Sequence, residues 1–373
     1  GFTGSTLAIT GNLTVASGVT SEIATKITSG LTIANSGTLT LSGDVGTNAA
    51  TDVVAITGGT TTLSSTVNAA VTVATGTAVE VVNGGQVAGA ATVAGGSLTV
   101  NDTANDAALE VVGKTTISGG TVTLTAGDIG EVEMTSGTLD IDDGTVGATA
   151  VSGGTFDLAT GTVASLDLTG ITGTASMLSG EITGAVSIAG ATFGQGGGLL
   201  GTDGTTASTV TVGTGGILTA NGIGTGNIVA NAGSQVNIGG TNVASLDLND
   251  GGLHTTSGNG EVEGVVTIDN ATLAQNGAGS RLGIDGAIGA GTASTVTVGL
   301  GGDYQANAGI AGDVTNNGGT INAAGTNFAS LTNTSSYTDV RGGSEVVGTT
   351  TVTADTVTVA GGTLTGKATV NGG

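Results

Sequence analysis

Short stretches of alternating apolar and polar residues recur along the chain, and a small turn containing glycine precedes each of them. Residues 36–41 read SGTLTL, residues 119–124 read GGTVTL and residues 153–158 read GGTFDL. Alternation with a period of two places successive side chains on opposite faces of a strand, while glycine marks the turn before it. The pattern therefore predicts many short β-strands joined by tight turns, and no helical period competes with it.

The spacing of these turns predicts a solenoid. Successive turns begin at Gly95, Gly119, Ser136 and Gly153, at intervals of 24, 17 and 17 residues. Repeats with a period of about 20 residues bury their apolar faces only by stacking on their neighbours. We therefore expect an all-β fold, a right-handed parallel β-helix (β-solenoid) with rungs of about 20 residues in one continuous stack.

A longer repeat lies on top of the rungs. VASLDL at residues 163–168 returns at residues 243–248, which is 80 positions later. A module of this size holds about four rungs, and loops between rungs tolerate insertions while strands keep their register. Two further blocks return in the same way: TASTVTVG at 206–213 and 292–299, and ATFGQGG at 191–197 as ATLAQNG at 271–277.

The two periods suggest an organisation in two parts. Residues 1–158 are expected to form a β-solenoid with short rung repeats, and residues 159–373 to continue it with a duplicated module of about 80–86 residues. Val163 and Val243 open the two copies of VASLDL, so we expect them to face the same way.

The alternation also predicts which side chains point inward in the module. Val210 and Val212 alternate with Thr209 and Thr211. The valines are expected on the inner face, because that face must exclude water, and the threonines on the outer face.

Composition narrows the fold further. The 373 residues include 74 glycines and only six aromatic residues, without proline, cysteine or tryptophan. Aromatic rings normally fill much of a core, so we expect a narrow interior of Val, Ile, Leu and Ala. The absence of proline suits strands that are paired on both edges. No apolar stretch approaches the roughly 20 residues of a spanning helix, so membrane insertion is not expected.

Charge excludes one class of partner. Five basic residues stand against 28 acidic ones, and the formal net charge is −23. Binding to nucleic acid requires Lys and Arg to displace counterions from phosphates, so nucleic acid is not an expected partner. The same negative charge could attract divalent cations.

The strongest metal candidate is an acidic turn. Asp140, Asp142 and Asp143 lie in DIDDG, close after Glu131 and Glu133. Ca²⁺ prefers several carboxylate and carbonyl oxygens, so these aspartates form a candidate Ca²⁺ site, although a solvated acidic turn explains the same residues. No other cofactor is expected. Weaker candidates are NDTAND at residues 101–106 and GTDG at residues 201–204.

The sequence offers little for catalysis. His254 is the only histidine, which excludes a cluster of histidine ligands, and we expect it on a loop or outer face. The glycine-rich residues 194–204 are not followed by the lysine and helix of a phosphate-binding loop, so they are expected to be a flexible connection between rungs. Tyr304 and Tyr337 remain as aromatic anchors for a lateral binding face. Catalytic and cofactor-binding residues are therefore not predicted.

The turn-and-strand phrases, GGTLTGKATVNGG at residues 361–373 above all, resemble the passenger regions of autotransporters and of filamentous-haemagglutinin-like adhesins. In its acidic, cysteine-free and threonine-rich character the chain is also similar to calcium-rich repeat exoproteins and bacterial surface-layer proteins. The resemblance implies a right-handed β-helix, a secreted or bacterial cell-surface location, and stalk-like or adhesive work.

Three functions are consistent with these observations. The leading one is a structural protein: a rigid stalk or filament segment of an exported surface, extracellular-matrix or biofilm protein, not an enzyme, which stacks end to end because open solenoid ends offer unpaired strand edges. The alternative is an adhesin that binds host glycans or a receptor through a lateral face. The third is a polysaccharide-degrading β-helix enzyme.

Overall fold

The structure of the chain is a computed structural model that describes residues 12–28, 31–47, 50–103, 108–171, 173–249, 251–284 and 293–371. Its strands pair in parallel and form a β-solenoid of about 19 turns with about 18 residues per turn. The predicted all-β parallel solenoid is confirmed, with turns slightly shorter than expected. The described ranges contain no helix, and hence none of the length and apolar character needed to cross a membrane.

Contacts along the chain divide it into two compact units, Gly1–Gly180 (unit 1) and Glu181–Gly373 (unit 2). The strands of unit 1 are β1 (Asn12–Val15), β2 (Thr20–Ile23), β3 (Leu31–Asn35), β4 (Thr38–Leu41), β5 (Val53–Thr57), β6 (Gly59–Leu63), β7 (Thr66–Val67), β8 (Ala70–Val73), β9 (Thr77–Val82), β10 (Gln86–Val87), β11 (Ala91–Val93), β12 (Ser97–Asn101), β13 (Thr115–Ala126), β14 (Asp128–Ile129), β15 (Val132–Ile141), β16 (Thr145–Val151), β17 (Thr155–Leu158), β18 (Thr162–Thr169) and β19 (Ala175–Met177).

The strands of unit 2 follow in the same manner. They are β20 (Glu181–Ile182), β21 (Val186–Ala189), β22 (Thr192–Gln195), β23 (Leu199–Leu200), β24 (Thr209–Val212), β25 (Ile217–Ala220), β26 (Gly224–Ala230), β27 (Gln235–Ile238), β28 (Asn242–Asn249), β29 (Leu253–Thr256), β30 (Glu261–Val262), β31 (Val266–Asp269), β32 (Thr272–Gln275), β33 (Arg281–Leu282), β34 (Thr295–Val298), β35 (Asp303–Ala306), β36 (Gly309–Asn317), β37 (Thr320–Ala323), β38 (Thr326–Ser335), β39 (Thr338–Arg341), β40 (Glu345–Val346), β41 (Thr350–Val352), β42 (Val357–Ala360), β43 (Thr363–Leu364) and β44 (Ala368–Val370).

Alternation sets the inner and outer faces as predicted. In β24, Val210 and Val212 are fully buried, whereas Thr209 is exposed and Thr211 is half-buried. Val210 lies in register between Val186 and Ile228, so the interior is a column of apolar side chains one turn apart. In both copies of VASLDL the opening valine is buried, in unit 1 and in unit 2 alike.

The interior is less purely aliphatic than expected. Phe156 in unit 1 and Phe193, Tyr304 and Phe328 in unit 2 are fully buried. Each aromatic ring stands at an inward position of its strand, beside aliphatic residues of the neighbouring turns, as Phe156 does in register with Leu139. The few aromatic residues are therefore mainly core residues.

A ladder of glycines explains why the second residue of the turn phrases in unit 1 is glycine. A Cβ on Gly154 would lie 2.4 Å from the carbonyl oxygen of Gly137, and one on Gly137 would lie 2.3 Å from that of Gly120. Gly137 and Gly154 also have positive φ, near +100° and +96°. The backbones of successive turns pack so closely at this corner that no side chain fits, and we call these residues the glycine ladder. Its members are Gly96, Gly120, Gly137, Gly154 and Gly173.

We expect Gly154→Ala to lower the free energy of unfolding by at least about 2 kcal/mol, because the methyl group meets backbone and because positive φ is strained for alanine. Gly170→Ala is the matched control: Gly170 has φ near +62°, but nothing lies within 4 Å of the position that a methyl group would occupy there. The control should lose only about 1 kcal/mol, the cost of the left-handed backbone. Urea denaturation of both variants measures the difference, and equal losses would contradict the steric role of the ladder.

Buried amides close two turns with the same geometry. In unit 1, Asn35 donates from Nδ2 to the carbonyl of Thr60 at 2.6 Å and to Oγ1 of Thr61 at 3.2 Å, and its Oδ1 accepts from the Gly37 N–H at 2.8 Å. In unit 2, Asn316 makes the corresponding bonds to the carbonyl of Tyr337, to a threonine hydroxyl and from a glycine N–H. Each amide thus forms hydrogen bonds within its own turn and to the next turn, and its buried polar atoms have the partners that burial requires.

The duplicated blocks ATFGQGG and ATLAQNG contain a second kind of internal hydrogen bond, made by glutamine. Gln195 and Gln275, one in each copy, are both buried. Gln195 donates from Nε2 to the carbonyls of Gly198 and Gly224, and Gln275 donates to those of Ser280 and Ile310. The acceptors lie in the residue's own turn and in the next turn, so each glutamine ties two turns together from inside.

Candidate functional surfaces

The aspartates of the predicted Ca²⁺ site lie at the end of β15. Asp140 stands in register with Asp157 of the next turn, so two carboxylates face solvent on adjacent strands, about 4.8 Å apart at the backbone. Burial, Asp142 and Asp157 raise the pKa of Asp140 above its ordinary value. Asp142 and Asp143 are exposed in the following turn, where Asp143 Oδ1 accepts the N–H of Gly144 at 2.7 Å.

We expect Asp140→Asn to raise the free energy of unfolding at pH 7 by about 0.5 kcal/mol, because like charges directly opposite on neighbouring strands repel. The pKa of Asp140 is raised in the folded state. The variant is therefore more stable than the wild type above that pKa, and the difference vanishes below the pKa that Asp140 has in the unfolded chain. Thermal melts of both proteins at pH 7 and pH 3 measure the difference. Asp247→Asn is the control, since Asp247 stands between Val229 and Thr267.

The same variant tests Ca²⁺ binding. If these carboxylates hold Ca²⁺, the ion should stabilise the wild type by mass action and Asp140→Asn should lose that stabilisation. A Ca²⁺ titration of the melting temperature therefore separates a cation site from a solvated acidic turn.

Carboxylates also gather beside a cavity of about 510 Å³ in unit 1, which Asp102, Glu110, Asp128 and Asp143 help to line. Glu110 accepts the backbone N–H of Asp128. Burial raises the pKa of Glu110, with smaller contributions from the charges of Asp102 and Asp128. Within the described ranges, however, no group of three or more His, Cys, Asp or Glu side chains is arranged to hold a metal ion.

The two weaker acidic candidates have local roles or lie partly outside the described residues. Asp203 of GTDG accepts hydrogen bonds from the Thr205 hydroxyl and from the N–H groups of Thr205 and Thr206, which lower its pKa to about 2. It therefore shapes its own turn. Of NDTAND, residues 104–106 lie outside the described residues, and Asp102 lines the acidic cavity.

The prediction that His254 lies on a loop or outer face is wrong. His254 is an inward residue of β29, 1 % exposed, stacked in the interior of unit 2 in register with Leu273. Its Nδ1 accepts the Val236 N–H at 3.2 Å, while its buried Nε2 has no partner among the described residues. Burial lowers its pKa to about 4, so the ring is neutral near pH 7.

Tyr304 is also unsuited to the role of a surface anchor. Its ring is fully buried, 6.3 Å from that of Phe328, and its hydroxyl donates to Oε1 of Gln275. Tyr337 remains 40 % exposed. Of the two aromatic anchors predicted for a lateral face, one is therefore a core residue.

Threonines align on one solvent-facing side of unit 2. They recur once per turn, each in register with the next, and all six are half-buried. None of them makes a side-chain hydrogen bond within the described residues. We call this column the threonine ladder; its members are Thr267, Thr297, Thr315, Thr332, Thr351 and Thr369.

A second column runs beside the threonine ladder, two residues earlier on the same strands. Thr295, Asp313 and Ser330 follow one another in register there, and Ser330 donates its hydroxyl to Oδ1 of Asp313 at 2.6 Å. The two columns form a surface of small side chains.

The fold defines the chain as a β-solenoid repeat protein. No family model, curated protein or solved structure matches it.

Proposed function

We propose that the chain is a structural segment of an exported bacterial surface or extracellular-matrix protein, and that its work is to carry mechanical load. The observation that carries the proposal is the parallel stacking of turns within each unit, as in the eight paired positions of β13 with β15 and of β36 with β38. The hydrogen bonds between parallel strands run from turn to turn. Two turns therefore separate only when many of these bonds break together.

The exported location rests on the resemblance of the turn-and-strand phrases to autotransporter and filamentous-haemagglutinin-like passengers. The phrase at residues 361–373 includes β43 and β44, which stack on β40 and β41 like the turns before them. An acidic exterior, with a formal charge of −23, keeps such segments from clumping side by side.

Growth from end to end is supported by the edge formed by β42, β43 and β44. Within the described part of the chain, each of these strands is paired with one neighbour only, on the side of β39, β40 and β41. Val359 and Val370 are 41 % and 68 % exposed there. Unpaired strand edges with apolar side chains are templates for further β-pairing. In a solution of this 373-residue chain, the turn that can pair there is that of a second copy.

Analytical ultracentrifugation over a concentration series tests this association. Wild-type protein is expected to form lengthwise assemblies, visible as extended particles by negative-stain microscopy. Val359→Lys should shift association to at least about tenfold higher concentration, because a charge then occupies the stacking edge. Val347→Lys is the matched control, since Val347 is 39 % exposed but lies outside these edge strands. A monomeric wild type at all concentrations would contradict end-to-end stacking.

In the alternative function, an adhesin, Tyr337 is the exposed aromatic anchor. Saturable binding of the chain on a glycan array would favour this alternative. The proposed structural role includes no catalysis. Cleavage of pectin-like or host polysaccharides by the purified chain would contradict that part of the proposal and favour the enzyme alternative.

A further inference from the structure

The outer face of β39 carries three side chains that load bearing does not use. Thr338 and Val340 are fully buried, inward residues of this strand. Because side chains alternate between the two faces of a strand, Tyr337, Asp339 and Arg341 share the outer face. We propose that these three residues, the β39 site, bind a neutral polysaccharide. Binding there is distinct from load bearing and does not depend on end-to-end stacking.

Tyr337 is the aromatic platform of the β39 site. Its side chain is 40 % exposed, whereas the other aromatic residues of the described ranges are fully buried. An aromatic ring has a negatively polarised face, which attracts the polarised C–H groups of a sugar ring stacked on it. The contact also removes apolar surface of both partners from water.

Buried amides fix the backbone that carries the Tyr337 ring. Asn316 donates from Nδ2 to the carbonyl of Tyr337 at 3.1 Å, and Asn333 donates from Nδ2 to the carbonyl of Ser336 at 2.9 Å. Ser336 itself has φ near +93°, which is uncommon for a residue other than glycine. Such a conformation persists only where the surrounding structure holds it. The aromatic platform is therefore positioned before any ligand arrives, which lowers the entropic cost of binding.

Asp339 and Arg341 form an ion pair beside this platform. Arg341 donates from Nε to Oδ2 of Asp339 at 2.7 Å. The Arg341 side chain is 61 % exposed, while that of Asp339 is only 4 % exposed. Both terminal amino groups of the guanidinium are without a protein acceptor within the described ranges. A buried carboxylate thus orients an exposed planar group whose remaining N–H donors are available to a ligand.

The second oxygen of Asp339 indicates that the site is incomplete without a ligand. Oδ1 is buried and has no hydrogen-bond partner in the described part of the chain. The amide of Asn322, in register with Asp339 one turn earlier, makes no side-chain hydrogen bond there either. A buried acceptor without a donor is costly, so a ligand hydroxyl that donates to Oδ1 gains by satisfying it. Displacement of the exposed Arg341 side chain, which lies against the same carboxylate, gives the hydroxyl access.

These groups match the chemistry of a neutral sugar. A hydroxyl both donates and accepts hydrogen bonds; here the carboxylate accepts, the guanidinium donates and the amide does both. The charges of Asp339 and Arg341 cancel, and the formal net charge of −23 disfavours an acidic polymer. A protein partner would require a cluster of large anchors, but Tyr337 is the single exposed aromatic residue of the described ranges.

Affinity electrophoresis of the full 373-residue chain tests the proposal. Native gels are cast with dextran, galactomannan or hydroxyethyl cellulose as neutral probes and with alginate as the acidic one. At least one neutral polymer should retard the wild type in proportion to its concentration, and alginate should not. Tyr337→Ala should require at least about tenfold more polymer for the same retardation. Leu253→Ala, which removes a 56 % exposed apolar side chain from β29, is the matched control and should bind as the wild type does.

A second pair of variants tests the guanidinium. Arg341→Lys keeps the charge but loses the planar group, so it should require at least about fivefold more polymer. Arg281→Lys changes the other arginine of the chain, which pairs with Glu261, and should leave binding unchanged. Urea denaturation should show all variants folded. Analytical ultracentrifugation at the same protein concentration separates a failure of binding from a failure of stacking.

Three results would overturn the proposal. The first is a wild type that none of the neutral polymers retards. The second is full retardation of folded Tyr337→Ala. The third is stronger retardation by alginate than by the neutral polymers, which would identify the face as an anion site centred on Arg341.

Discussion

Val210→Asp is expected to lower the free energy of unfolding by about 3–5 kcal/mol, the typical cost of an uncompensated buried charge. Val210 is fully buried in β24, between Val186 and Ile228 of the neighbouring turns. The carboxylate would find neither water nor a cation in this apolar column. Urea denaturation followed by circular dichroism measures the loss.

Thr209→Asp places the same charge one residue away and provides the control. Thr209 is exposed, so its substitution should change the free energy of unfolding by no more than about 0.5 kcal/mol. Similar losses in the two variants would show that the inner and outer faces of β24 are not distinguished in solution.

Acid is expected to destabilise the protein through His254. Burial lowers the pKa of His254 to about 4, whereas an exposed histidine has a pKa near 6.5. The unfolded chain therefore binds the proton more readily than the folded chain does. The free energy of unfolding is unaffected by this difference above about pH 6.5, and it decreases as the pH falls towards 4. Between pH 7.5 and pH 4 this amounts to about 3 kcal/mol.

The structure gives the physical reason. Protonation places a charge in a column of apolar side chains next to Leu273, and it adds a proton to Nδ1, which accepts the Val236 N–H. Between pH 7.5 and pH 4, the free energy of unfolding of His254→Leu should fall by about 3 kcal/mol less than that of the wild type. At pH 7.5 the variant should be less stable than the wild type, because the Val236 N–H loses its acceptor. Carboxylates elsewhere contribute equally to both proteins. The same pH dependence in both would exclude His254 as the origin.

The fold could be predicted from the sequence because the alternation of apolar and polar residues is a local property of each strand. Each strand carries its own alternation, and the stacking of turns only has to bring the apolar faces together. This is why Val210 and Val212 were correctly placed inside. The two valines that open VASLDL face the same way, as predicted, and both are buried.

Polar residues in the interior were harder to predict, although a signal for them existed. In GLHTT, His254 occupies the position that Leu39 has in GTLTL, which is inward. The same parity places Gln195 inside. General preference for polar residues at the surface argued against both positions. The carbonyls that Gln195 bonds lie in its own turn and one turn later, and this proximity follows from the register, not from the local sequence.

The acidic cavity was beyond prediction for a related reason. Asp102, Glu110, Asp128 and Asp143 are spread over about 40 residues and come together through stacking. A register shift after Val100, where β12 meets β13, lies close to this cavity. Such irregularities alter which residues stand above one another, and a repeat pattern does not reveal them.

The parallel, in-register stack has a consequence for how the chain acquires its structure. Strand partners within each unit lie about one turn, or 18 residues, apart along the sequence, which is about a twentieth of the chain length. Contact order is therefore low, and closing each loop costs little entropy compared with long-range pairing. Each new turn needs only the preceding turn as a template. Folding can therefore advance turn by turn, starting from whichever end of the chain becomes free to fold first.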